Sequence, residues 1–281
     1  MSLHFYTESH QRSIARIVPD LIRSRELLFD LVVKGLKIRY RIAAMGFFWA
    51  VLQPLLMMTI LTVVFGYVLG DRLGFRDGGK PYHIVVLCGV IPWQFFASAL
   101  LTATSSLVAN RELVKKVYFP REVIPISTVL DWSINLGIGT LLLLVIHLLS
   151  GGTITSNIVW LFYVYAVEIA LVMGLALMLS AANVFFRDVQ YIVEIAVAFG
   201  FYITPVFYEL TYVSKAGQEW METVYLLNPM AGIVTVFREI VIDGHLLHPM
   251  LLVWPTIAAI GCLAFGAYVF RRNAGSFADN L

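Results

Sequence analysis

Residues 82–108 read YHIVVLCGVIPWQFFASALLTATSSLV, and residues 110–123, just beyond, read NRELVKKVYFPREV. The first stretch contains no Asp, Glu, Lys or Arg, whereas the second carries six charged residues in fourteen. Residues 123–149 are apolar again, with Asp131 as their only acid or base of these types. A helix rises about 1.5 Å per residue, so each apolar run exceeds the roughly 30 Å of hydrocarbon in a bilayer. The pattern is a membrane crossing, a short charged connector that Pro120 ends, and a second crossing.

The rest of the chain repeats this theme. Of 281 residues, 59% are hydrophobic and only 14% charged, against about a quarter charged in soluble domains. The fold class is therefore an all-α integral membrane protein. Six spans are expected, near Gly46–Gly70, Tyr82–Val108, Val123–Leu149, Asn157–Val184, Val189–Tyr208 and Pro249–Phe270. Only FFRD, residues 185–188, separates the fourth from the fifth. The domain reading is a cytoplasmic N-terminal segment (1–45), a transmembrane domain (46–270) and a cytoplasmic tail (271–281). The first apolar run begins too late and runs too long for a signal peptide.

Orientation follows from the bases. With both termini inside, fifteen Lys and Arg residues fall in the inside segments. Five fall outside: Arg72, Arg76, Lys80, Lys215 and Arg238. That bias places the termini and residues 109–120 in the cytoplasm. Residues 209–248 return outside, yet Trp220–Ile242 is apolar, broken by Asn228-Pro229. Two short re-entrant helices fit it, and a seventh span is the alternative, one that would put Arg271 and Arg272 on the wrong side.

Before the first span, residues 24–41 read SRELLFDLVVKGLKIRYR. On a helical wheel Glu26, Asp30, Lys34, Lys37 and Arg41 share one face, and Leu27, Leu28, Leu31, Val32, Leu36 and Ile38 fill much of the remainder. Arg25 and Arg39 break the stripe. Such a basic amphipathic helix is expected to lie in the headgroup plane.

Catalytic and metal signatures are scarce. There is no G-x-x-x-x-G-K-[ST], and the sole Gly-Lys, Gly79-Lys80, precedes Pro81. The chain is therefore not expected to be an ATPase or other enzyme. H-E-x-x-H and G-x-S-x-G are absent too, and His245 and His248 lack a third ligand. Cys88 and Cys262 lie in apolar runs, as buried thiols do. Asp131, Glu168 and Glu194 fall inside spans, with no basic partner in any span. They fit either proton relays or hydrogen-bonded structural acids. Aromatic clusters at Phe47, Phe48 and Trp49, at Trp93, Phe95 and Phe96, and at Phe199, Phe201 and Tyr202 fit either interfacial belts or a lining on which sugar faces stack.

Seven stretches, in order along nearly the whole chain beyond residue 30, carry a resemblance. They are KIRYRIAAMGFFWAVLQPLL (37–56), GVIPWQFFASAL (89–100), LVKKVYFPREVIPIS (113–127), NVFFRDVQYI (183–192), ITPVFY (203–208), LNPMAG (227–232) and RRNAGSFAD (271–279). Together they resemble the membrane subunit of ABC exporters for polysaccharides of the O-antigen, capsule and teichoic-acid kind. KKVYFPRE is the most distinctive.

The resemblance implies a homodimeric half-transporter working with two copies of a separate P-loop ATPase. ATP and Mg would be bound by that partner, and this chain would hold no cofactor. It also implies a bacterial inner-membrane location, contact with membrane lipids, a lipid-linked polysaccharide as substrate and no nucleic acid. The 109–120 loop would be a coupling helix docking on the ATPase through Arg111, Leu113, Val114, Lys115, Lys116, Val117 and Tyr118, with Asn110 as its cap. Trp220–Ile242 would form two gate helices. The substrate would enter laterally near spans one and five. Rival readings are an exporter of small hydrophobic compounds, a proton-coupled carrier using the three acids, and a lipid-modifying enzyme.

Overall fold

A computed structural model of the chain describes residues 17–41, 46–68, 80–117, 119–210 and 225–281. Among these residues the secondary structure is helical throughout, with no strand. Two N-terminal helices, α1 (Ile17–Arg23) and α2 (Arg25–Arg41), lead to α3 (Phe48–Leu61), which continues through a π-helical stretch, Thr62–Val68. Helix α4 (Tyr82–Ala109), the six-residue α5 (Arg111–Lys116) and α6 (Val123–Leu149) follow. A 3₁₀ turn, Ser156–Val159, opens α7 (Trp160–Phe185), and α8 is Val189–Ile203. Helix α9 (Pro229–Arg238) runs into a π turn, Glu239–Asp243, and α10 (Val253–Asn273) leads to the short α11 (Phe277–Asn280).

Five of these segments are long and apolar enough to cross a membrane: Phe48–Val68, Tyr82–Ala109, Val123–Leu149, Ser156–Phe185 and Pro249–Asn280. The chain is thus a multi-pass membrane protein. The expected fifth span is shorter than the sequence suggests. Helix α8 has 15 residues, about 22 Å of rise, and stops at Ile203 rather than Tyr208. Thr204 takes up extended geometry (φ −86°, ψ 139°) because Pro205 follows it. Proline crowds the preceding residue out of the α region and supplies no N–H to continue the helix.

Helix α4 is the hub. Its residues Ile84 to Ile91 are almost wholly buried, and α3, α6, α7, α8 and α9 all pack against it. The tightest pairing is α7 with α10. There Gly174 meets the backbone of Cys262 and Leu263, and Gly266 meets the backbone of Gly174, so a Cβ at either position would clash. In hydrocarbon, helices gain nothing by hiding apolar surface from lipid, so close approach at small residues supplies the attraction.

At the end that carries α1, residues 271–281, read from the sequence as a cytoplasmic tail, pack onto the bundle. Phe270 and Phe277 are fully buried, with Leu107, Val114 and Ile124, in a second core. Arg271 fixes this core by donating from Nε to Glu122 Oε1 at 2.9 Å and from Nη2 to Asp20 Oδ2 at 3.2 Å. Arg121 Nη1 donates to the Ala274 carbonyl. One cation thereby ties α1, the start of α6 and the end of α10 together. Arg271→Ala would leave the buried Glu122 without that cation, so it is expected to lose about 3–5 kcal/mol of stability. Arg272→Ala, which removes a contact to Tyr268 at an exposed site, is expected to stay within about 0.5 kcal/mol. Thermal unfolding of both variants in detergent checks the contrast.

Candidate functional site

The loop between α4 and α6 places its side chains in two directions. Val114 is buried in the second core, and Leu113 is half-buried against it. Arg111, Lys115, Lys116 and Val117 are exposed, and Lys116 pairs with Glu112 at 2.7 Å. Tyr118 lies outside the described residues. Two details differ from expectation. The helix ends at Lys116, with Val117 extended (φ −122°, ψ 137°), so it stops four residues before Pro120. Asn110 does not cap it: its Nδ2 donates to the Ser106 carbonyl at 2.9 Å, closing α4 instead. An α4 that ends in the same turn leaves its own orphan carbonyls, and the amide meets those first.

The aromatic clusters separate by position. A cavity of about 700 Å³ opens between α3, α4 and α8. Trp49, Trp93, Phe201 and Tyr202 line it, with Leu56, Met57, Ile60, Gln53, Gln94 and Ser98. Trp93 meets Phe96 at a ring-centroid distance of 5.3 Å and Phe201 edge-on at 6.1 Å. Phe201 in turn meets Tyr202 at 5.4 Å. Phe47, Phe48 and Phe199 are exposed and line neither this cavity nor its neighbour.

That neighbour is a cavity of about 310 Å³ beneath α2, among α3, α4 and α6. Arg39, Tyr40, Phe95, Trp132 and Asn135 line it, and it shares Trp49, Gln53, Gln94 and Ser98 with the larger one. Arg39 is held on two sides. Its Nη2 donates to Asp131 Oδ1 at 2.6 Å, and its guanidinium lies over the Trp132 ring, 3.5 Å from the centroid. Such stacking suits the planar guanidinium. Gly35 lets α2 come this close, since a Cβ there would overlap the Asp131 carboxylate. Tyr40 Oη donates to Asn135 Oδ1.

Helix α2, read from the sequence as a headgroup-plane helix, turns its other face to the bundle. Its Glu26, Asp30, Lys34 and Lys37 face is exposed as expected, but α2 packs along α6. Asp131 does have a basic partner, Arg39, which reaches it from outside the spans. Glu168 is fully buried, and neither of its carboxyl oxygens has a hydrogen-bond partner. Glu194 is exposed on α8 and accepts from Gln190 at 3.0 Å. The three acids therefore sit in three different settings.

On the opposite side of the bundle, α9 is buried along most of its length, as a re-entrant helix requires. Asn228 caps it by accepting from Met230 N at 3.0 Å. Arg238, read from the sequence as an outer-loop base, is fully enclosed. It donates to the carbonyls of Pro205 (2.9 Å), Tyr208 (3.0 Å), Val206 (3.1 Å) and Val85 (3.3 Å). Residues 211–224, the first half of the expected gate pair, lie outside the described residues.

A family model described as ABC-2 type transporter matches residues 26–242, from α2 through the π turn after α9. The chain belongs to the ABC-2 type transporter family. It is 30% identical to an O-antigen export system permease protein of Klebsiella pneumoniae over 226 residues, covering 78% of this chain and 83% of that one. It is 28% identical to a Myxococcus xanthus protein of the same name over 266 residues, covering 95% and 99%. It is 24% identical to the polysialic acid transport protein KpsM of Escherichia coli over 249 residues, covering 86% and 92%.

Within this ABC-2 transporter chain, sequence reasoning missed Arg39, Gln53, Gln94 and Asn135 as cavity residues. One signal was present: Arg39 sat off the polar face of α2. The pair it forms is testable. Arg39→Leu and Asp131→Leu each orphan a charge, while the double variant removes both. The double variant is expected to recover about 0.5–3 kcal/mol relative to the sum of the singles. Additive losses in thermal unfolding would show that the two side chains are not coupled.

Proposed function

We propose that this chain is the membrane subunit of an ATP-driven exporter that moves a lipid-linked polysaccharide across the bacterial cytoplasmic membrane. It works as a homodimer with two separate ATPase subunits. The observation that carries this reading is the aromatic cavity between α3, α4 and α8, in a chain whose relatives are named for O-antigen and polysialic acid. Flat rings offer sugar faces a stacking surface without binding any one linkage tightly, which suits a polymer in transit. ATP and Mg belong to the partner, since this sequence has no phosphate-cradling loop. Both termini and α5 face the cytoplasm, where the bases concentrate. A Cys at the exposed Ser276, in a chain freed of Cys88 and Cys262, is expected to react with impermeant reagent from the cytoplasmic side alone.

The surface offered to the ATPase is narrower than the sequence suggested. Val114 is turned into its own chain, so Val117, half-buried Leu113, Arg111 and Lys115 remain for the partner. Val117→Asp puts a charge where an apolar anchor would be desolvated, so it is expected to weaken ATPase association by about 1–4 kcal/mol while leaving membrane insertion intact. Co-purification of the ATPase and glycan export measure this. A variant that inserts, retains the ATPase and exports at the wild-type rate removes the coupling role from this loop.

A further inference from the structure

We infer that residues 271–281 are a strut that passes movement of α5 to the turn between α7 and α8, with Phe277 as its positioning residue. Helix α5 has only six residues, and isolated helices shorter than about 12 residues do not hold themselves in water. Its geometry is therefore set by what it rests on. Among the described residues it packs on α4 and on α11, and little on α7 directly. Val114, its buried side chain, enters the same core as Phe277. The residues that follow α5 are fastened to the same segment. Arg121 Nη1 donates to the Ala274 carbonyl, and Glu122 Oε1 accepts from Arg271 Nε at 2.9 Å. The connector between α4 and α6 is thus held by 271–281 both at its helix and at its exit.

Helix α11 also packs on α7. The Phe277 ring lies 6.0 Å from that of Phe185, at an interplanar angle of 57°, and 5.1 Å from that of Phe270, edge-on at 79°. Phe185 is the last residue of α7, and Val189 is the first of α8. Phe270 and Phe277 are both fully enclosed. A close-packed interior has low compressibility, so it transmits a displacement rather than absorbing it. A push on α5 therefore reaches Phe185 through one ring, and with it the start of α8, a helix that walls the larger cavity. The purpose of the strut rests on the export reading, in which α5 meets the ATPase; the mechanical link rests on the contacts alone.

Hydrogen exchange of the purified full-length chain in nanodiscs reads the link without the ATPase. The reporting amides are Phe186, bonded to the Ala182 carbonyl at 2.9 Å, and Val189, bonded to the Phe186 carbonyl at 3.1 Å. Val114→Ala loosens α5 and is expected to speed exchange at both by about 2- to 30-fold, the range of coupling along a packed network. Adding Phe277→Leu, or Phe185→Leu where the first does not insert, keeps an apolar filling, removes one ring of the pair and is expected to abolish this response. Amides that Val114→Ala leaves at the wild-type rate, or a response that survives loss of either ring, would overturn the strut. In proteoliposomes with the ATPase, Phe277→Leu is expected to keep ATP hydrolysis within about twofold and to lower glycan export per ATP by about 2- to 30-fold. Leu143→Ala is the control for general loosening. It empties a fully buried site in the other core and is expected to lower thermal stability with export per ATP unchanged. If Phe277→Leu lowers hydrolysis and export in step, the segment only fills the core and the strut is overturned. A wild-type complex that exports no glycan while the exchange response stands would remove the export reading and leave the mechanical link.

Discussion

The contact between Arg39 and Asp131 holds the candidate site together. Asp131 lies nine residues into α6, in a stretch otherwise free of acids and bases. A carboxylate there has no water to lean on, so its partner must come from the protein. That partner arrives on α2, which is thereby held along α6. Once α2 is docked, it roofs a cavity that would otherwise be an open notch among α3, α4 and α6. Trp132, the next residue on α6, takes the guanidinium face, and Asn135, one turn on, takes Tyr40. Three positions on α6, 131, 132 and 135, thus read three features of α2.

The same constraint recurs at two further buried charges, with a different solution each time. Among the described residues Arg238 pairs with no acid, and it is satisfied by four backbone carbonyls. Three of these carbonyls, those of Pro205, Val206 and Tyr208, are available because Pro205 breaks α8 early and ends its helical ladder there. The broken helix and the buried cation are therefore one device: the break frees acceptors, and the cation gathers them against α4 and α9. Arg271 takes the third route, with carboxylates from two other elements. In each case the bonds run between elements distant in sequence, so charges too costly to leave alone become the joints of the fold.

This explains what the sequence disclosed and what it hid. Apolar length and the distribution of bases set the spans and the charged turn at α5, because those depend on composition over tens of residues. Asn228-Pro229 announced α9 through a local cap. Arg39 was visible only as an exception to its helix's stripe, and nothing nearby in sequence says that its partner stands 92 positions away. Phe277 is a single aromatic in a short polar tail, and its burial follows from a pocket built by α5, α7 and α10. Val114, Leu113 and Val117 looked like one ridge. The backbone leaves helical geometry at Val117, and that turn sends Val117 outward while Val114 goes in. A helical wheel cannot see such a break.

The two walls of the larger cavity follow from how this bundle is glued. Helices α7 and α10 meet at glycines, backbone to backbone, and α4 is enclosed by its neighbours. Helices α3 and α8 each rest on α4 but pack little on one another, and both present large apolar side chains outward, Ile60 and Tyr67 on one and Ile195 and Phe199 on the other. In water such faces would be driven together. In a bilayer lipid covers them at no cost, so nothing closes the gap between them unless packing or hydrogen bonds do. The gap persists because, among the described residues, little packing and no hydrogen bond draw α3 and α8 together across it.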